Sequence, residues 1–127
     1  GALKIKEISY VHAEAFAAGE LKHGSIALID KGTPVVAIAT QGKLFEKMVS
    51  NMQEVRARGA RVIAITQEGN TEVEKSADRV IYIPKVDDMF ASITAVVPMQ
   101  LLAYHASNIR GLDVDKPRNL AKSVTVE

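Results

Sequence analysis

The 127 residues contain no cysteine and no tryptophan. The first absence excludes a disulfide scaffold, a thiolate zinc site and a cysteine nucleophile. The second, with aromatics at only 5%, argues against a stacking platform for bases or glycans. Charge of neither sign is in excess: 16 Lys and Arg against 15 Asp and Glu leave a formal +1. There is thus no electrostatic case for a nucleic-acid partner. No apolar run approaches the ~18 residues of a membrane span, and no signal-peptide pattern opens the chain. Internal repeats and low-complexity tracts are also missing. A cysteine-free chain fits a cytoplasmic protein. His12, His23 and His105 have no ligand-like spacing, so no metal is expected. Neither G-x-G-x-x-G nor a P-loop occurs, and no cofactor is called for.

What is present is a chain that is 47% hydrophobic, long enough for one domain with a core. Residues 2–19 read as a helix rich in small side chains, among them Ala13, Ala15, Ala17, Ala18 and Gly19. No N-cap precedes it, so the chain is expected to begin inside an element of something longer. IALID (26–30) is an apolar, strand-like run before the turn signal Lys31-Gly32. PVVAIAT (34–40), RVIAIT (61–66) and RVIYI (79–83) read as strands; the first looks covered on both faces. Leu44, Met48, Met52 and Val55 give helical spacing over 43–58, with Gly59 just past the end. TEVEKSAD holds a short helix, and Asp87 is placed to cap a long one running to about 110, kinked at Pro98. This alternation predicts a parallel α/β sheet with helices on both faces, a three-layer αβα arrangement. Ligands of such sheets sit at the carboxyl ends of the strands. Those ends, Thr40-Gln41-Gly42, Thr66 to Asn70 and Pro84-Lys85, make half a site.

Several side chains could carry chemistry. Lys4 and Glu7 are three apart and share a helix face, and Glu14 lies seven beyond Glu7. One reading is a surface stripe with an ion pair; the other is a carboxylate sunk among apolar neighbours, a candidate general base. His23 sits at a helix exit before Gly24, either favoured there by the dipole or free to act as an acid–base group. His12-Ala13-Glu14 matches the opening of the zinc-deaminase motif, but the cysteines that motif requires do not exist here. His105 reads as packing, Arg56, Arg58 and Arg61 as structural, and Thr40 and Thr66 as helix caps or ligand contacts. The tail is the oddest part. Val114, Leu120, Ala121, Val124 and Val126 are more apolar than a frayed end should be. Lys122 among them is an exposed tail lysine unless it is desolvated, in which case it is a nucleophile for a carbonyl.

Four stretches, HAEAFAAGELKHG, MVSNMQEVRARG, PMQLLAYHASNIRGLDVD and DVDKPRNLAKSVTVE, closely resemble the end of the glutamine–fructose-6-phosphate aminotransferases, or glucosamine-6-phosphate synthases. The resemblance covers essentially the whole chain. It implies that residues 1–111 are most of a second sugar-isomerase (SIS) domain lacking its first strand, and that 112–127 form an active-site tail. It implies conversion of fructose 6-phosphate and glutamine-derived ammonia to glucosamine 6-phosphate. In that scheme Lys122 forms a Schiff base with the open-chain ketose, and Ala121 beside it contacts substrate. Glu7 moves the proton between C1 and C2, and Lys4 assists. His23 opens the sugar ring, reaching in from the other subunit of a homodimer. Partners would be preceding SIS and glutaminase domains, without which the chain alone is expected to be inactive. Ser25 stands where the family commonly has proline, which would loosen the His23 loop. Two rivals remain: a non-catalytic SIS module sensing a sugar phosphate in a regulator, and a purely structural dimerisation domain.

Overall fold

The computed structural model describes residues 1–118. Its contacts group into two compact units, one of Gly1–Ala15 with the chain from Met99 onward, the other of Phe16–Pro98.

The second unit holds the sheet. Three parallel strands, β1 (Pro34–Ala39), β2 (Arg61–Gln67) and β3 (Arg79–Ile83), lie in that order, with Ala37 opposite Ala64 and Ala64 opposite Val80. Their β-branched runs made all three predictable. Between β1 and β2 a turn of 3-10 helix, Gly42–Leu44, leads into α2 (Phe45–Ala57). The helix lays Val49, Met52 and Val55 over Ala37, Ala39, Val62 and Ala64; three of those four strand residues are alanine, so the helix can come close. Gly59, at φ +93°, ends this helix and brings its backbone against Lys31, whose Cα would lie 3.0 Å from an added Cβ. The expected short helix between β2 and β3 is a 3-10 helix, Thr71–Lys75. Two readings are corrected. IALID forms no strand: Ser25–Leu28 is 3-10 helix, and Ile26 and Ile29 pack against the core from there. Nor is β1 covered on both faces, since Ile38 is 40% exposed and Ile81 of β3 on the same face is 41% exposed.

The helix expected over 2–19 is much shorter. A turn of α1 (Ala2–Lys4) passes directly into a π-helical stretch, Ile5–Ser9. There it stops, because Tyr10 takes a left-handed backbone, φ 55°, a conformation costly to a residue with a Cβ. The Ser9 hydroxyl donates to the Ile5 carbonyl at 2.6 Å, the back-bond that competes with helical pairing. The Ser107 hydroxyl donates to the Ile8 carbonyl. Residues 10–17 follow without regular structure, before 3-10 helix Ala18–His23.

The last helix, α3 (Ala91–Ile109), continues through Pro98, where the two units divide. Asp87 precedes it and accepts the Met89 amide at 2.9 Å. Ala91, Ala95, Met99, Ala103 and Ser107, spaced by four, are buried, yet Ile93, Val97, Leu101 and Tyr104 are exposed. Such a helix is apolar on opposite sides. None of the described helices is long and apolar enough to cross a membrane. Past Gly111, left-handed at φ 69°, the Leu112 amide returns to the Ser107 carbonyl at 3.1 Å. Asp113 then accepts the amides of Asp115 and Lys116.

Candidate active-site residues and the family of the chain

Lys4 and Glu7 come together as their spacing implies. Lys4 Nζ lies 2.8 Å from Glu7 Oε2, a charge-assisted bond. The Glu7 side chain keeps only 22% of its exposure against 54% for Lys4, so the carboxylate is the sheltered partner. Glu14 does not join them, because the helix has ended; it stands 3.6 Å from His12 instead.

His23 closes the 3-10 helix Ala18–His23 in the other compact unit. Its ring is 67% exposed, with Glu20 Oε2 at 4.0 Å. Ala121 and Lys122 lie outside the described residues, as does most of the tail from 112 to 127. The last described residue, Arg118, is firmly held: its amide donates to the Tyr10 hydroxyl at 2.8 Å, and its guanidinium sits 4.0 Å from the centre of the Tyr10 ring. Neither Tyr10 nor Arg118 carried a signal in the sequence, being 108 residues apart.

At the carboxyl ends of the strands a small hollow of about 160 Å³ lies between Thr40, Gln67, Asn70 and Asp88. The side chains of Gln67, Asn70 and Asp88 there are already paired within the chain. Gln67 donates to the Thr40 carbonyl at 3.0 Å and accepts the Val86 amide at 2.8 Å. Asp88 accepts the Gly42 amide at 2.9 Å, so a carboxylate of the chain occupies one amide of the loop at the end of β1. Thr66 caps no helix; its hydroxyl donates to the Ala39 carbonyl, joining β2 to β1. Arg56 and Arg58 are structural as read, bonded to the carbonyls of Lys75 and Glu54. His105 is exposed rather than packed, edge-on to Tyr104 at 5.3 Å.

From β3, Tyr82 Oη donates to Glu74 Oε1 at 2.6 Å. This bond raises the phenol's pKa, with lesser help from desolvation and the carboxylate's charge. A raised folded-state value means the pair's contribution is whole below the unfolded phenol's pKa and is lost as pH rises through the folded one. Alkaline titration followed by phenolate absorbance should therefore show one tyrosine ionising later than a free phenol, and Glu74→Gln should return it toward the ordinary range.

Parallel strands joined through helices define an open α/β fold, which comparison makes specific. The SIS domain family matches residues 1–110, and the chain belongs to that family. Over all 127 residues it is 63% identical to glutamine–fructose-6-phosphate aminotransferase [isomerizing] of Thermus thermophilus, of which it spans 21%. The carboxyl-terminal domain of glucosamine-fructose-6-phosphate aminotransferase from Francisella tularensis superposes with a TM-score of 0.80 at 43% identity, over 89% of this chain and 32% of that one. Glucosamine-6-phosphate deaminase from Thermotoga maritima gives 0.76 at 30% identity, over 98% and 35%.

Proposed function

We propose that the chain is the carboxyl-terminal part of the isomerase region of a glutamine–fructose-6-phosphate aminotransferase, making glucosamine 6-phosphate from fructose 6-phosphate and ammonia. One observation carries this: the match to the Thermus thermophilus enzyme extends over every residue, at 63% identity, with the tail included. Residues 1–111 are then the larger part of the second SIS domain and 112–127 its active-site tail.

Lys122 supplies the amine. It attacks the carbonyl carbon of the open-chain ketose, and loss of water leaves a Schiff base. Ammonia adds to the imine carbon and displaces the lysine, which leaves as a free amine; the resulting ketose imine acidifies the neighbouring C–H. Glu7 takes the proton from one carbon and returns it to the other, as a positioned carboxylate can. Lys4, 2.8 Å from Glu7, holds the carboxylate in place and steadies negative charge that develops near it. His23 is exposed on its own chain, which suits a group that serves the neighbouring subunit of a homodimer by opening the sugar ring. Ala121 lies against the substrate beside Lys122. The phosphate is held by the preceding SIS domain, and ammonia comes from a glutaminase domain. A cytoplasmic setting goes with these sugar phosphates.

Borohydride reduction of the full-length polypeptide in the presence of fructose 6-phosphate is expected to fix the sugar to Lys122. Sugar-phosphate binding with no label on that residue would instead describe a sensor and overturn the catalytic reading.

A further inference from the structure

We propose that Tyr10 is a positioning residue for Lys122, acting through Arg118. The inference rests on Lys122 being the reacting amine.

Two different forces hold Arg118 to one side chain. Its amide donates to the Tyr10 hydroxyl at 2.8 Å, and its guanidinium covers the face of the same ring at 4.0 Å. Backbone and side chain are both engaged, so position and orientation are fixed together. Tyr10 meets both while its own backbone is left-handed, φ 55°, which a residue with a Cβ avoids unless its surroundings enforce it. The chain approaches the ring through a turn. Asp113 holds a turn by accepting the amides of Asp115 and Lys116, and Pro117 fixes its own φ.

The position of this clamp gives it consequence. Tyr10 lies three residues after Glu7, on the segment that Ser107 ties down at Ile8. Arg118 lies four residues before Lys122, and four residues reach at most ~14 Å. The base and the root of the amine-bearing tail are therefore anchored to one short stretch of backbone. Without the clamp, the nearest upstream hydrogen bond to an earlier element, among the described residues, is that of Leu112, ten residues from Lys122. The effective concentration of a tethered group falls roughly as the −3/2 power of tether length. Going from four residues to ten thus costs about fourfold in delivery of the amine.

The test uses the full-length polypeptide and reads two quantities: the rate of borohydride labelling of Lys122 with fructose 6-phosphate, and hydrogen exchange at the Arg118 amide. Tyr10→Leu removes both contacts and is expected to expose that amide and slow labelling about fourfold. Tyr10→Phe keeps the ring as a platform for the guanidinium, so the amide should open while labelling slows less. Met52→Ala, which weakens the core of the other unit, sets the effect of lost stability alone and should leave both readouts unchanged while the protein stays folded. An unaltered labelling rate in Tyr10→Leu, with the unmodified protein labelling normally, would overturn the role of Tyr10 alone. An Arg118 amide equally protected in all variants would overturn it too. No label in the unmodified protein would instead bring down the reading of Lys122 on which this rests.

Discussion

Glu7→Gln, made in the full-length polypeptide, should lower isomerase turnover by roughly two to four orders of magnitude, the usual worth of a positioned general base. The replacement keeps the shape of the side chain, and its carbonyl oxygen can still accept from Lys4, now 2.8 Å away. Folding is therefore spared. What the amide lacks is proton affinity, so under the proposed mechanism the step between C1 and C2 loses its carrier. The loss belongs to kcat, because an interaction needed only while the proton moves contributes little to substrate binding. Schiff-base formation precedes that step, so labelling of Lys122 should survive the substitution. Steady-state kinetics decide the matter: a fall of less than tenfold would show that Glu7 is only the anchor of an ion pair.

Met52→Ala should be the most damaging of single core truncations. Met52 is 1% exposed and sits mid-helix where α2 meets the alanines of β1 and β2. Those alanines have no side-chain length with which to fill a vacated space, so the cavity persists. The expected cost is about 2–5 kcal/mol. Native-state hydrogen exchange at the amides of β2 reads it directly, since these are central to the sheet. Met89, 78% exposed, gives the contrast: Met89→Ala should stay within about 0.5 kcal/mol. Equal effects from the two would mean that the core does not depend on the α2–sheet seam.

The sheet was legible in the sequence and the opening segment was not, for related reasons. PVVAIAT, RVIAIT and RVIYI specify strands by composition over five to seven neighbours, and each strand was found within a residue of its expected bounds. The stretch around Tyr10 has helix-forming neighbours, Ala13, Ala15 and Ala17 among them. Propensity there is a weak prior, and the contact Tyr10 makes where the helix ends is with Arg118, 108 residues away. Local pattern has no access to such a contact. The same limit explains the site. Lys4 and Glu7 could be paired from spacing alone; Asp88 on the Gly42 amide, 46 residues distant, could not. His105 misled because its leucine and alanine neighbours suggested burial, whereas α3 turns that side outward.

The π-helical stretch Ile5–Ser9 winds more residues into each turn than an α-helix can. Excising one of them would let the segment rewind at 3.6 residues per turn, where four residues cover nearly the rotation that five cover in the wider turn, so the residues on either side would keep about their relative orientation. The exception is spacing inside the stretch: loss of Ile5 or Lys6 would leave Lys4 two residues from Glu7, on a different side of the helix. In this part of the gene, in-frame loss of either codon is a graver lesion than a conservative exchange at the same position, because spacing brings the two charges together.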